Sequence, residues 1–190
     1  RVPHPAAEAT GRDESSAWNA TITPALTRLG VVINPISGRR GSRPGEADRR
    51  REWVTRAAAA RGLDLRVSVT ARAGHARELA AQALQGGCEV VAAMGGDGTV
   101  NEVAQALVGS GVPLGVLPCG SGDGLARGLQ IPGNLSRAFS IVVDGRTRAM
   151  DVGYVNDQPF LNVLGLGFDA AVGELFAKRS TRGAWGYIVN

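Results

Sequence analysis

The sequence has few of the residues on which several classes of protein depend. Its 190 residues include two cysteines, two histidines and a single lysine, Lys178. Two cysteines, Cys88 and Cys119, are too few for a disulfide scaffold, and they lack the CxxC spacing of a zinc or redox site. No apolar run is long enough to span a bilayer or to act as a secretory signal. These absences predict a cytoplasmic chain with reduced thiols.

The chain also lacks the signatures of several nucleotide-using and hydrolytic enzymes. The P-loop pattern GxxxxGK[ST] and the motif set of protein kinases are absent. A GxSxG elbow is missing, since Cys119 stands where its first glycine would be, and no His/Asp partnership is evident, so no hydrolytic triad is predicted. Any phosphate-binding site must therefore rely on backbone N–H groups, arginine and Mg²⁺.

Basic residues are concentrated in one segment of a chain whose formal net charge is +4. Residues 39–66 hold nine arginines against four acidic residues, a local excess of five. Trp53 is the only aromatic residue there, and Glu46/Arg50 and Glu52/Arg56 have the i,i+4 spacing of ordinary helical ion pairs. The pattern favours a solvated helix face and no nucleic-acid partner, while attraction to nucleotide phosphates or to an anionic membrane remains open.

Short apolar strands alternate with amphipathic helical stripes through the middle of the chain. This alternation is typical of a parallel sheet covered by helices on both faces, an α/β fold. The predicted elements are strands at 31–33, 65–70, 90–94 and 114–117, and helices at 46–61, 76–85, 100–108 and 135–143.

The two ends of the chain follow different patterns. Residues 1–28 show no sustained periodicity and predict a mobile leader, which leaves 29–145 as the α/β domain. After residue 146, alternating apolar residues, the turn pair Asn156-Asp157 and an apolar run at 160–168 predict two neighbouring strands. Residues 146–190 are therefore expected to begin a second, β-rich domain that is incomplete in this chain.

Three glycine-rich turns follow strands of the predicted sheet, at Asn34–Gly38, Gly95–Gly98 and Gly120–Gly124. The carboxyl ends of parallel strands meet at one edge, so these turns are expected to converge on one crevice. The block beginning at Gly95 runs from a strand into a helix, where exposed N–H groups attract an anion. Phosphate is therefore the predicted ligand.

Two acidic residues of this block have competing interpretations. Asp97 beside a phosphate site would be repulsive without Mg²⁺ or a proton, which favours a metal-linked role over a simple turn residue. Thr99 and Glu102 have the T-x-x-E spacing of a capping box, so a structural role for them is at least as good as ligand binding.

Four ordered motifs resemble the diacylglycerol kinase catalytic domain family, which includes bacterial lipid kinases and sphingosine kinases. They are NPISG at 34–38, TxxxGHA at 70–76, GGDGTVNEV at 95–103 and PCGSGDGLAR at 118–127, followed by LNVLGLGFDAAV at 161–172. The resemblance implies a Rossmann-like ATP-binding domain, a β-rich domain that helps hold the lipid, and phosphoryl transfer in the cleft between them. It also implies peripheral association with a membrane, and a homodimer is a further expectation.

The resemblance also assigns roles to individual residues. Asp97 is the expected catalytic residue and Mg²⁺ ligand, and Asp123 and Asp169 are expected to face the lipid substrate. The expected ATP-binding positions are Asn34, Ser37, Gly38, Thr70, Gly95, Gly96, Asp97, Gly98, Thr99, Val100, Asn101, Glu102, Gly120 and Ser121.

The sequence departs from the family at two places. Many members read GTxND where this chain has Ser121-Gly122-Asp123-Gly124, which displaces a carboxylate by one position and leaves the acceptor lipid open. The family's late DGE motif does not occur in the 190 residues, so this piece is expected to bind ATP with reduced or no turnover. A kinase of NAD or another soluble substrate, and a nucleotide-binding module without catalysis, are the alternatives.

Overall fold

The computed structural model describes residues 26–38, 43–145 and 147–161. Strands and helices alternate through most of this part of the chain, as the hydrophobic pattern predicts. The elements are β1 (Arg28–Ile33), α1 (Glu46–Ala59), β2 (Asp64–Val69), α2 (His75–Gln85), β3 (Val90–Gly95), α3 (Asp97–Leu107), β4 (Leu114–Pro118), α4 (Gly124–Gly128), α5 (Leu135–Asp144), β5 (Gly153–Val155) and β6 (Gln158–Phe160).

The first four strands form a parallel sheet in the order β2-β1-β3-β4. β1 pairs with β2 on one side, through Val31 and Val67, and with β3 on the other, through Val31 and Ala92. The chain therefore builds outward from β1 to β2 and then crosses back to β3. Such a reversal leaves a crevice between β1 and β3 at the carboxyl edge of the sheet.

Helices cover both faces of this sheet and divide the core in two. On one face, α2 and α3 pack on side chains such as Val32 and Ala93. On the other face, α1 and α5 pack on Val31, Ile33 and Met94, and the Trp53 and Phe139 rings meet edge to face with centroids 5.9 Å apart. Since alternate residues of a strand point to opposite faces, strands of this kind are apolar throughout, and the α/β prediction is confirmed.

Several predicted boundaries and one predicted motif differ from the structure. The short helix α4 has no counterpart in the sequence prediction, because five residues are too few to show a helical stripe. The Thr99/Glu102 capping box is wrong: α3 begins at Asp97 after Gly96 in an extended conformation, and no side chain caps this helix. Thr99 is thus already inside the first turn, where it cannot act as the N-cap.

The predicted strand pair after residue 146 is confirmed as the antiparallel hairpin of β5 and β6. Asn156 and Asp157 form its turn with φ of 45° and 61°, the left-handed pair that suits the twist of a two-residue hairpin. Most of the predicted apolar run at 160–168 and most of the predicted leader lie outside the described residues. The domain boundaries at 28 and 145 stay predictions.

Candidate functional site

The three glycine-rich loops lie at the carboxyl edge of the sheet, on either side of the crevice between β1 and β3. The first loop follows β1, the second joins β3 to α3, and the third joins β4 to α4. Asn34 connects the first two, since its Nδ2 donates to Thr99 Oγ1 over 2.9 Å and its backbone N–H donates to the Met94 carbonyl over 3.0 Å.

Glycine is required where the first and third loops meet. Gly38 has φ of +72°, and a Cβ there would overlap the Cys119 carbonyl oxygen. Only a residue without a side chain combines this backbone conformation with so close an approach. Burial raises the pKa of the neighbouring Cys119 thiol to about 11, so that thiol is neutral at physiological pH.

The second and third loops also meet through glycine. A Cβ on Gly96 would lie 3.2 Å from the Gly120 Cα, and one on Gly120 would lie 2.6 Å from the Gly96 Cα. By contrast, Gly98 is exposed and a Cβ there would meet nothing within 4 Å. Packing between the second and third loops therefore explains why glycine occupies positions 96 and 120. It does not explain the glycine at position 98, where a Cβ would have space.

Asp97 holds the third loop through its carboxylate. Oδ2 accepts from the Gly124 N–H over 3.0 Å and Oδ1 accepts from the Leu125 N–H over 3.0 Å. These donors are at the start of α4, whose own N-cap residue, Asp123, makes no side-chain cap. Asp97 therefore caps a helix from a distant part of the chain, a role that its sequence position alone does not reveal.

Glu102 caps α2 in a similar way. Its Oε1 accepts from the Gly74 N–H over 2.9 Å and its Oε2 accepts from the Ala76 N–H over 3.1 Å. A carboxylate at a helix N-terminus satisfies unpaired donors and interacts favourably with the helix dipole. Glu102 therefore caps α2, which begins inside the TxxxGHA segment, and not its own helix as the predicted capping box requires.

Asp123 closes the turn of the third loop. Its Oδ1 accepts from the Gly120 N–H over 2.9 Å, and its backbone is left-handed with φ of 50°. Burial raises the pKa of this carboxyl, which the Gly120 bond and Arg127 partly oppose and the charge of Asp97 reinforces. The two carboxylates thus interact electrostatically at the same edge.

The other predicted site residues fall into distinct positions. Val100 lies in the core and its N–H donates to the Gly96 carbonyl, so it offers no side chain to a ligand. Ser121 is exposed, whereas Thr70 is partly buried where β2 ends and its N–H donates to the Ile33 carbonyl. Asn101 is partly buried on α3. Asp169 lies outside the described residues.

Arg50 is the residue of this edge that sequence reasoning missed. Its ion pair with Glu46 is confirmed at 2.9 Å, but the predicted solvated position is wrong, because the Arg50 side chain is only 7% exposed. The available signal was helical spacing: Arg50, Val54 and Ala58 follow one another at i, i+4 and i+8 and form the buried stripe of α1. An arginine in line with apolar residues predicts a buried guanidinium.

Burial also acts on the acid that pairs with Arg50. Burial pushes the pKa of Glu46 upward, but hydrogen bonds from Arg50 and Arg49 outweigh it and hold that pKa below its usual value. Glu46 is therefore a carboxylate at neutral pH, and its pair with Arg50 stays ionic.

The described residues contain no cluster of three or more His, Cys, Asp or Glu side chains that could hold a metal ion alone. Asp97 and Asp123 are the carboxylates of the second and third glycine-rich loops. Mg²⁺ is commonly bound by one or two protein carboxylates together with substrate phosphates, so these residues fit the ion only with a nucleotide present.

An open parallel sheet with glycine-rich loops at the carboxyl ends of its strands is typical of phosphate-binding α/β proteins. The comparison with protein families is more specific, because the diacylglycerol kinase catalytic domain matches residues 28–155. The chain belongs to this family.

Two curated relatives illustrate the similarity. A diacylglycerol kinase of Mycobacterium tuberculosis is 34% identical over 166 residues, covering 84% of this chain and 51% of that protein. A Klebsiella pneumoniae protein named probable lipid kinase YegS-like is 41% identical over 114 residues, covering 58% of this chain and 38% of that protein. The chain thus spans about half the length of these relatives or less.

A solved structure supports the fold. A diacylglycerol kinase from Bacillus anthracis superposes with a TM-score of 0.65 and 24% identity, covering 83% of this chain and 58% of that one. In the part of the chain that the structure describes, no helix combines the length and apolar character needed to cross a bilayer.

Proposed function

We propose that this chain forms the nucleotide-binding part of an ATP-dependent lipid kinase, which transfers the γ-phosphoryl group of ATP to a lipid hydroxyl such as that of diacylglycerol. Membership in the kinase family supports the reaction class. The single structural observation that carries the proposal is the exposed start of α3 at Gly98, a helix without a side-chain cap at the meeting point of the three glycine-rich loops.

The phosphates would lie at the start of α3. The first N–H groups of a helix have no earlier turn to bond to, and no side-chain cap from the described residues serves those of Asp97, Gly98 and Thr99. Gly98 is exposed, and the start of α3 presents the positive end of the helix dipole to an anion. Backbone groups would thus replace the lysine of a P-loop.

Asp97 and Asp123 would contribute carboxylate oxygens to Mg²⁺ bound by the nucleotide. The ion would neutralise charge on the phosphates, which is its usual contribution to phosphoryl transfer. Asp97 already accepts two N–H bonds, so it also keeps the third loop in place. Asp123 keeps its predicted place facing the lipid substrate.

The acceptor and the cellular setting follow from the family rather than from the described residues. A lipid hydroxyl is reached at a membrane surface, so we propose a cytoplasmic protein in peripheral contact with a membrane. Asp169 keeps its predicted place near the lipid head group, and the homodimer stays a prediction. Phosphorylation of NAD, or nucleotide binding without catalysis, would replace this proposal if lipid transfer fails.

The test is to measure MgATP binding to this chain and phosphate transfer by the whole protein that its gene encodes. We expect saturable binding of MgATP to the chain by calorimetry and transfer of labelled phosphate to diacylglycerol or a sphingosine-like lipid. Transfer to NAD alone would support the soluble-substrate alternative. MgATP binding without phosphate transfer to any acceptor would support a nucleotide-binding module without catalysis. Absence of both MgATP binding and phosphate transfer would overturn the proposal.

A further inference from the structure

Arg50 makes a set of contacts with the first glycine-rich loop that its ion pair does not explain. Nη1 donates to the Asn34 carbonyl over 2.6 Å and to Ser37 Oγ over 2.8 Å, while Nη2 donates to the Ser37 carbonyl over 2.9 Å. Nε donates to Glu46. The planar guanidinium therefore binds two carbonyls of one loop in a fixed geometry that a lysine cannot reproduce.

These bonds determine which way the loop presents its donors. In a trans peptide the carbonyl and the following N–H point in opposite directions, and no cis peptide is present among the described residues. Because the Ser37 carbonyl faces Arg50, the Gly38 N–H faces away from it. No described residue accepts a hydrogen bond from this N–H, although Gly38 is buried. A phosphate oxygen at the junction of the first and third loops would supply the acceptor that such a donor requires.

We propose that Arg50 is a positioning residue, which turns the Ser37–Gly38 peptide so that the Gly38 N–H donates to a phosphate oxygen of the bound nucleotide. This inference rests on the proposed function, because it deepens the description of the same site. The guanidinium acts through the loop and touches no substrate atom. Its charge is balanced by Glu46, so its contribution is orientation more than attraction.

Arg49 provides a matched control. It is the neighbouring arginine on α1 and donates to the same carboxylate, Glu46, through its other oxygen over 3.0 Å. Its side chain is 55% exposed, and within the described part of the chain its side-chain hydrogen bonds go to Glu46 alone. Substitution at either position therefore removes one guanidinium from Glu46, but only substitution at Arg50 releases the carbonyls of Asn34 and Ser37.

The experiment compares R50K and R50Q with R49K and R49Q by MgATP titration and by amide hydrogen exchange. We expect the dissociation constant for MgATP to rise about tenfold in both Arg50 variants, the effect of losing one well-placed hydrogen bond to a charged group. The Arg49 variants should match the parent. In the whole enzyme, R50K should raise KM for ATP and leave KM for the lipid unchanged, a split that general destabilisation would not give.

Hydrogen exchange tests the parent protein directly and does not depend on how well a variant folds. MgATP should slow exchange of the Gly38 amide in the parent, and exchange at residues 34–38 should be faster in R50K than in R49K. The inference is wrong if the parent binds MgATP without protecting Gly38, or if R50K binds as tightly as R49K. Failure of the parent to bind MgATP at all would instead overturn the proposed function, and this inference with it.

Discussion

The two ends of the parallel sheet use the same kinds of interaction in different surroundings. At the amino end, Glu89 accepts from the N–H groups of Thr27 and Arg28 and from the Thr27 hydroxyl, and Arg28 pairs with Asp64 over 2.7 Å. These groups are exposed: the Arg28 and Asp64 side chains retain 49% and 64% of their accessible surface. Solvent screens such pairs, so they contribute little to stability.

At the carboxyl end, three charged side chains bind backbone groups of three different loops. Arg50 holds the loop after β1, Asp97 holds the loop before α4, and Glu102 holds the segment before α2. These groups are buried or partly buried, which makes their hydrogen bonds stronger and their loss more costly. At the amino end, charged side chains make exposed contacts that add little to stability. At the carboxyl end, they hold the loops of the candidate site in place.

The largest expected difference between the ends lies at Asp97. Asparagine in D97N keeps one acceptor oxygen and places an NH₂ group against an N–H donor at the start of α4, either Gly124 or Leu125. We expect the free energy of unfolding to fall by about 2 kcal/mol, the cost of losing a hydrogen bond to a charged group. Urea unfolding of the 190-residue chain measures it.

The same change at the amino end, D64N, is the control for D97N. It removes one exposed ion pair, so the urea midpoint should stay within the error of the measurement. Equal effects of D97N and D64N would contradict the distinction between the two ends. MgATP binding by folded D97N should also weaken, because the third loop loses its anchor.

A smaller difference is expected between Glu102 and Glu89. Glutamine in E102Q loses the negative charge at the start of α2 and one of the two acceptors for Gly74 and Ala76, and we expect a loss of about 1 kcal/mol in the free energy of unfolding. E89Q makes the same change in solvent and should lower stability less. A greater loss in E89Q than in E102Q would show that the amino end carries more of the stability.

The sequence predicted the framework better than the site. Apolar alternation was enough for the parallel α/β fold, because a strand buried on both faces and a helix with one apolar stripe have distinct patterns. Glycine spacing correctly placed the loops after β1, β3 and β4. The contacts of Asp97 and Glu102 could not be predicted, since each joins segments 26 or more residues apart and a carboxylate caps a distant helix without any local signature.

Arg50 shows a second limit. The i,i+4 spacing correctly paired it with Glu46, yet the same spacing is typical of exposed helix faces. Its burial depends on the position of the loop at 34–38, which folds over the start of α1 and supplies carbonyl acceptors. Neighbouring apolar residues on the stripe indicate this burial, whereas charge pairing alone does not.

Substitution of Gly98 by alanine is expected to change stability very little. It therefore tests the candidate site apart from the stability of the carboxyl end. A methyl group there meets no described atom within 4 Å, and Gly98 lies within α3. Alanine in G98A should therefore leave stability unchanged or raise it by up to about 0.5 kcal/mol, because alanine favours helix. Urea unfolding checks this part.

MgATP binding is where G98A should differ from a neutral substitution. If the phosphates occupy the open space above Gly98, the added methyl group must displace them, and the dissociation constant should rise about tenfold or more, since a misplaced phosphate loses at least one backbone hydrogen bond. G128A is the matched control, because Gly128 is also helical and also has no atom within 4 Å of an added Cβ. If G98A and G128A bind MgATP equally well by calorimetry, the nucleotide does not lie at the start of α3. The close approach of Gly96 to Gly120 would then be explained by packing alone.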